Sequence, residues 1–135
     1  MCGIAGYVGK AFSPEHCLSE MIHTLNHRGP DDHGIWFDAK MGIGLAHSRL
    51  SILDLTSAGH QPMLSTSKNF VMIFNGEIYN HNDLRKDLDL IKNINWSGHS
   101  DTETLLSSIE QWGLEQTLKR TVGMFAIALW DKRDG

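Results

Sequence analysis

Cysteine is scarce in this chain: only Cys2 and Cys17 occur, too few to staple a small fold with a disulfide framework. Proline is equally sparse, with three residues, and no Pro-rich or Gly/Ser-rich tract marks a linker. No internal repeat divides the chain into modules. No apolar run approaches the ~20 residues that a membrane-spanning helix needs. The N-terminus lacks the charged-then-apolar layout of a signal peptide. Positive charge is not in excess either, since 12 Lys and Arg stand against 16 Asp and Glu for a net charge of -4. That balance offers no electrostatic footprint for nucleic acid or an anionic membrane. The basic doublets Arg85-Lys86 and Lys119-Arg120 fall inside helical patterns and read as solvated helix faces. A cytoplasmic protein is expected, with no membrane and no nucleic-acid partner.

What is present is one domain's worth of sequence, 135 residues, 41% hydrophobic and 21% charged, an ordinary globular composition. Gly3 to Gly9 is short, apolar and interrupted by glycine, which suits a buried strand approached closely by other backbone. Ser13-Pro14-Glu15 offers an N-cap with proline in the first helical turn. Leu18, Met21, Ile22 and Leu25 then lie on one helical face, so a helix runs to about Asn26. His27 to Asp32 forms a loop. Gly34–Asp38 and Gly42–Arg49 read as two strands joined by a short turn, and Leu50 to Leu64 as irregular.

Phe70–Phe74 is a continuous apolar run, hence a buried strand, and it ends in the turn dipeptide Asn75-Gly76. Leu84, Leu88 and Ile91 mark a second helix. Ser100 and Glu103 have the spacing of a capping box that opens a third, with Leu105, Leu106, Ile109 and Trp112 on its apolar face and Gly113 as its stop. A short helix over Leu114–Arg120 leads into Met124–Trp130, another buried strand. Strands and helices come in blocks, which favours a layered α+β domain over a doubly wound one.

Cys2 stands out by position. Removal of Met1 by aminopeptidase would leave a thiol and a free α-amine on one residue. A model α-amine has a pKa of ~7.7–8.0, so near neutral pH much of it is available as a base. Nucleophile and general base can then be supplied together. Position alone, however, equally describes a small residue that happens to follow the initiator. Among eight histidines, His23 and His27 have a metal-ligand spacing, but no carboxylate or cysteine completes a set, and no metal site is expected. The glycines near the start do not form a dinucleotide-binding fingerprint. Gly3 and Gly6 read instead as positions that keep side chains away from Cys2.

Six segments change the weight of Cys2: Met1-Cys2-Gly3-Ile4-Ala5-Gly6, His27-Arg28-Gly29-Pro30-Asp31, His47-Ser48-Arg49-Leu50-Ser51-Ile52, Gly59-His60-Gln61-Pro62-Met63, Asn75-Gly76-Glu77-Ile78-Tyr79-Asn80 and Ser100-Asp101-Thr102-Glu103. In this order and spacing, over essentially all of the chain, they resemble the class II glutamine amidotransferases. The Arg-Gly-Pro-Asp and Gly-His-Gln-Pro-Met segments look like those of the glutamine-hydrolysing asparagine synthetases. The resemblance implies a four-layer αββα sandwich of the N-terminal-nucleophile hydrolase kind. It implies that Cys2 attacks the side-chain amide of L-glutamine, releases ammonia and leaves a glutamyl thioester for water. Asn75 and Gly76 would donate to the oxyanion. Arg49 would grip the substrate α-carboxylate, Asp101 with Glu77 beside it would meet the α-ammonium, and Leu50, Ser51, Ile52 and Leu53 would add main-chain contacts.

The family's glutaminase domain continues further than this chain, so residues 1–135 are expected to be a partial domain with its C-terminal part missing. Asp134-Gly135 reads as a hairpin turn whose returning strand is absent. No cofactor is expected within these residues. ATP and magnesium belong to a synthetase domain or subunit, the expected partner, and a homodimer through the exposed last strand is a further expectation. Two other readings stay open: an inactive truncated fragment with a structural or interaction role, and an amidotransferase for another acceptor such as a sugar acid or lactam precursor.

Overall fold

The computed structural model describes residues 2–51 and 56–134. Strand β1 (Gly3–Val8) is followed by helix α1 (Pro14–Leu25), a 3-10 turn (Asn26–Arg28), and strands β2 (Asp32–Asp38) and β3 (Ile43–Arg49). A second 3-10 turn (Ser57–Gly59) precedes β4 (Met63–Leu64) and the long β5 (Phe70–Ile78). Helices α2 (His81–Ile91), α3 (Asp101–Trp112) and α4 (Leu114–Arg120) lead to the last strand, β6 (Gly123–Asp131). The strands form two antiparallel sheets, ordered β1-β3-β2 and β4-β5-β6.

Three apolar layers hold these elements as an αββα sandwich. Leu18 and Ile22 of α1 pack on Ala46, with Ala5, Tyr7 and Ile35 around them. Between the sheets, Leu45, Val71 and Ile73 meet Ile4, Trp36, Ala128 and Trp130. On the far side Phe70, Met72, Phe74 and Ile78 pack against Leu84, Leu105, Leu106 and Ile109 of α2 and α3. The unbroken apolar run of β5 follows from this position: odd residues turn to the other sheet and even ones to the helices, so both faces are dry. Fully buried side chains such as Met72 and Leu105 each contribute ~1.5–3 kcal/mol.

Several local expectations change. β5 does not stop at Asn75-Gly76 but continues to Ile78, with Asn75 opposite Ala126 and Gly76 opposite Phe125. β6 supplies a pairing partner there, and the ladder overrides the turn preference of Asn-Gly. β6 itself is half-exposed rather than buried, because it lies at the edge of its sheet; Met124 is 66% exposed. Ser13 precedes α1 but makes no side-chain cap, leaving Pro14 to open the helix. Ser100 does cap α3 by accepting from Glu103 N–H, whereas the Glu103 carboxylate reaches the Ser97 and Gly98 amides instead of completing the box. Ile91 ends α2 facing solvent. Gly3 and Gly6 serve close packing: a Cβ on Gly6 would lie 2.5 Å from the Gly44 carbonyl oxygen, and one on Gly3 would lie 2.9 Å from Leu25 Cβ.

One polar contact crosses between the sheets. His47 of β3 is 1% exposed, and its Nε2 lies 3.1 Å from the Phe74 carbonyl oxygen of β5. A carbonyl only accepts, so Nε2 carries the hydrogen. Burial, with Arg49 adding repulsion, pushes the His47 pKa down to about 4 against the bond from Phe74. The unfolded chain therefore binds the extra proton more readily, and stability is lost as pH falls from about 6.5 toward 4. Urea unfolding across that range is expected to show up to about one proton taken up on unfolding. His47→Gln, which keeps a donor for Phe74, is expected to flatten the dependence; an equally steep profile in that variant would remove His47 as its source.

Candidate active site

Strand parity decides which side chains meet. In β3, Leu45 turns between the sheets while Ala46 turns to α1, so His47 and Arg49 follow Leu45. β1 pairs with β3 with Gly3 opposite Ser48, and Ile4 lies in the inter-sheet core. Cys2, one residue before Gly3, thus faces the same side as Arg49. In β5 the inward turn of Val71 and Ile73 carries Asn75 and Glu77 to that side too. At this end the apolar filling gives way to a cleft of about 300 Å³. Cys2, Arg49, Leu50, Asn75, Gly76, Glu77 and Asp101 line it, joined by Gly59, Gln61, Phe74, Tyr79, Ser100, Thr102 and Met124.

The wall that holds the thiol is rigidly backed. Leu50 N–H donates to Cys2 Sγ at 3.4 Å, and Sγ lies 3.7 Å from the Leu50 carbonyl oxygen. Asp31 N–H donates to the Arg49 carbonyl (3.0 Å), and Asp31 Oδ2 accepts from Ser51 N–H (2.8 Å). The loop can approach this closely because residue 29 is glycine; a Cβ there would lie 2.4 Å from the Arg49 carbonyl carbon. The Arg49 side chain is 8% exposed and donates from Nη1 to the Thr56 carbonyl at 2.9 Å. Gly59 makes room for it, since a Cβ there would come within 2.0 Å of Nη2.

The opposite wall is the bare edge of β5. Pairing with β4 ends at Met63 opposite Met72, so the amides beyond need other partners. Phe74 N–H donates to Gln61 Oε1 at 2.6 Å, and Ile78 N–H donates to Asp101 Oδ2 at 2.9 Å. Alternate residues of a strand point their amides to the same edge, so the Gly76 N–H between these two projects into the cleft. Gly76 adopts φ 157°, and a Cβ on it would lie 2.4 Å from the Met124 carbonyl oxygen. Beside it the Asn75 Oδ1 is buried without a protein hydrogen-bond partner.

Asp101 opens α3 and is 5% exposed. Burial pushes its carboxyl above the usual range, opposed by the Ile78 amide, the His81 charge and the first-turn amides. Among the described residues no cation forms an ion pair with it. The turn before it is fixed by Arg85, which donates to the Gly98 and Ser100 carbonyls, Thr104 Oγ1 and Glu103, and stacks 4.1 Å over Trp96. Arg85 is therefore a half-buried organiser rather than part of a solvated helix face.

A thiol, a guanidinium, main-chain and carboxamide donors and a carboxylate with no ion-pair partner among the described residues thus share one cleft. Of the expected contact residues, Ser51 lies behind it on Asp31, and Ile52 and Leu53 fall outside the described residues. Gln61, Thr102 and Gly59 also line the cleft, and sequence reasoning leaves them without a role. Among the described residues no group of three His, Cys, Asp or Glu side chains could hold a metal ion, and no helix is long and apolar enough to cross a membrane.

Two sandwiched antiparallel sheets with helices outside, and a thiol at the head of the first strand, define an N-terminal-nucleophile hydrolase fold. The profile of the glutamine amidotransferase domain matches residues 1–135, and the chain belongs to that family. It is 38% identical over 138 residues to asparagine synthetase [glutamine-hydrolyzing] 3 of Bacillus subtilis (strain 168), covering 98% of this chain and 22% of that protein. It is 39% identical over 137 residues to asparagine synthetase [glutamine-hydrolyzing] 2 of Oryza sativa subsp. japonica, covering 99% of this chain and 22% of that protein. The chain thus spans about a fifth of the length of these curated relatives. The solved glutamine phosphoribosylpyrophosphate amidotransferase of B. subtilis superposes with a TM-score of 0.76 at 20% identity, over 96% of this chain and 35% of that one, and shares the fold.

The fit of Arg49 against Gly59 is open to a direct check. Gly59→Ala drives a methyl group into a guanidinium already anchored to Thr56, an overpacking expected to cost about 1–3 kcal/mol in urea unfolding. A loss below about 0.3 kcal/mol would show that the guanidinium has another place to go.

Proposed function

We propose that this chain is the glutaminase part of a glutamine-hydrolysing asparagine synthetase. The observation that carries the reading is the convergence of Cys2, Arg49, Asn75, Gly76 and Asp101 on one cleft. L-Glutamine is a zwitterion with an amide at its far end. Arg49 grips its α-carboxylate with two parallel hydrogen bonds, and Asp101, with Glu77 at the mouth, meets its α-ammonium. That cation repays the desolvation of the Asp101 carboxylate.

Once Met1 is removed, the Cys2 α-amine takes the thiol proton and Sγ attacks the amide carbon. The negative charge that develops on the amide oxygen is met by the Gly76 N–H and the Asn75 carboxamide. Collapse of the adduct breaks the C–N bond, the α-ammonium returns its proton to the leaving nitrogen, and ammonia departs. Water then hydrolyses the glutamyl thioester to glutamate and restores the thiol. The names of the relatives support aspartate as the ammonia acceptor, with ATP and magnesium handled by a synthetase partner outside these residues. The outer edge of β6, unpaired among the described strands, supports self-association as a homodimer.

Cys2→Ala is expected to abolish glutamine hydrolysis in the protein that couples this domain to a synthetase, with ammonia-dependent synthesis intact. Retained hydrolysis would rule out Cys2 as the nucleophile. Asn75→Ala is expected to lower kcat by ~10²–10³-fold.

Asp101 separates function from stability. Its folded pKa is raised, so its ionisation costs folding free energy as pH rises through that range. Asp101→Asn removes the cost and is expected to resist urea at pH 7 at least as well as the parent, yet raise KM for glutamine about tenfold or more. A variant of reduced stability with unchanged KM would make Asp101 structural.

A further inference from the structure

We infer that Gln61 is a positioning residue that sets the length of substrate the cleft accepts. The inference rests on the site reading above and adds a residue to which that reading gives no task. The two ends of the substrate are held by different elements, the amide end by Asn75 and Gly76 on β5 and the ammonium end by Asp101 on α3. Something must fix the separation of these elements. Two polar rungs do so. One is direct, from Ile78 N–H to Asp101 Oδ2 at 2.9 Å. The other runs through Gln61, whose Oε1 accepts from Phe74 N–H at 2.6 Å and whose Nε2 donates to Thr102 Oγ1 at 3.3 Å.

The residues that Gln61 joins are the immediate neighbours of the proposed substrate contacts: Phe74 precedes Asn75, and Thr102 follows Asp101. With both rungs in place the first turn of α3 cannot pivot on the β5 edge. With the Gln61 rung broken, the Ile78 contact is the remaining polar tie between this turn and the β5 edge among the described residues, beside the apolar packing of Leu105 and Leu106. Gln61 is itself held in place, being 5% exposed, and a Cβ on Gly34 of β2 would lie 2.0 Å from its carbonyl oxygen. The preceding His60 is paired with Asp32 of the same strand at 2.7 Å. The Gly-His-Gln segment is therefore a strut from the first sheet into the second, with the Gln61 carboxamide as its tip.

The reaction makes this spacing selective. Asparagine carries the same zwitterion and the same amide, one methylene shorter, and a site of fixed length discriminates one methylene by ~10–200-fold. A strut that fixes the length should act on this ratio and on KM more than on kcat, because it touches neither the thiol nor the oxyanion donors.

The test measures kcat and KM for glutamine and for asparagine hydrolysis in the purified protein. Thr102→Val keeps the shape of the side chain and leaves the Gln61–Phe74 bond intact while breaking the far end of the strut. It is expected to raise KM for glutamine ~3–10-fold, about the worth of one neutral hydrogen bond. Its kcat should stay within about twofold, and its preference for glutamine over asparagine should fall about fivefold or more. Gln61→Met is expected to move both quantities further in the same direction. If it fails to fold by circular dichroism, Thr102→Val alone decides. A folded Thr102→Val with unchanged KM, or with raised KM but an unchanged preference, overturns the inference. Cys2→Ala keeps the two levels apart: hydrolysis surviving there defeats the site reading itself, whereas its loss together with unaltered selectivity in Thr102→Val defeats only the role of Gln61.

Discussion

A strand that outruns its neighbour must find other partners for its amides, and in this molecule β5 outruns β4 just where the cleft opens. Of the backbone groups on that bare edge, Phe74 N–H goes to Gln61, the Phe74 carbonyl to His47, and Ile78 N–H to Asp101. Each partner comes from a different part of the fold: the strut between β2 and β4, the middle of the first sheet, and the head of α3. Satisfying the edge thus assembles the walls of the cleft. The Gly76 N–H is the donor left pointing inward, and a donor in a partly dry cleft is a strong place for negative charge to form. The requirement that buried amides be paired and the requirement for an open one are met on the same few residues.

Much of the fold is legible in the sequence because its period and its punctuation agree. The helical stripe from Leu18 to Leu25, the Ser100 cap and the Gly113 stop each combine two signals, and each lands within a residue or two of its element. The end of β5 is not legible, because Asn-Gly suits a turn on local grounds and its extended form depends on β6, some fifty residues further along the chain. The half-exposure of β6 is hidden for the same reason: a run from Met124 to Trp130 says apolar, and only the strand order says edge.

The site divides in the same way. Cys2, Arg49, Asn75 and Asp101 stand in motifs whose chemistry names a task for each. Gln61 and Gly59 sit in an equally clear motif, yet their tasks are geometric and appear only when the Phe74 amide and the Arg49 guanidinium are placed beside them. Arg85 is the sharpest case. On a helix face with Lys86 it reads as solvent-facing, and only the folded chain shows four hydrogen-bonding partners and an indole around it. Composition and periodicity report what a side chain is; they do not report what the far end of a long one can reach.

The continuation of β5 through Asn75 and Gly76 also ties the proposed oxyanion donors to strand register. These donors do not sit on a loop that could be reshaped separately; they are rungs of a ladder that runs from Phe70 opposite Asp131 to Ile78 opposite Gly123. A slip of one rung would turn Asn75 toward the helices, bring Phe74 into the cleft and swing the Gly76 amide toward β6. Such slippage would also exchange the β5 side chains packed between the sheets with those packed on the helices. On the proposed mechanism, selection for ammonia release is also selection against drift of the β5–β6 alignment, including at rungs far from the cleft.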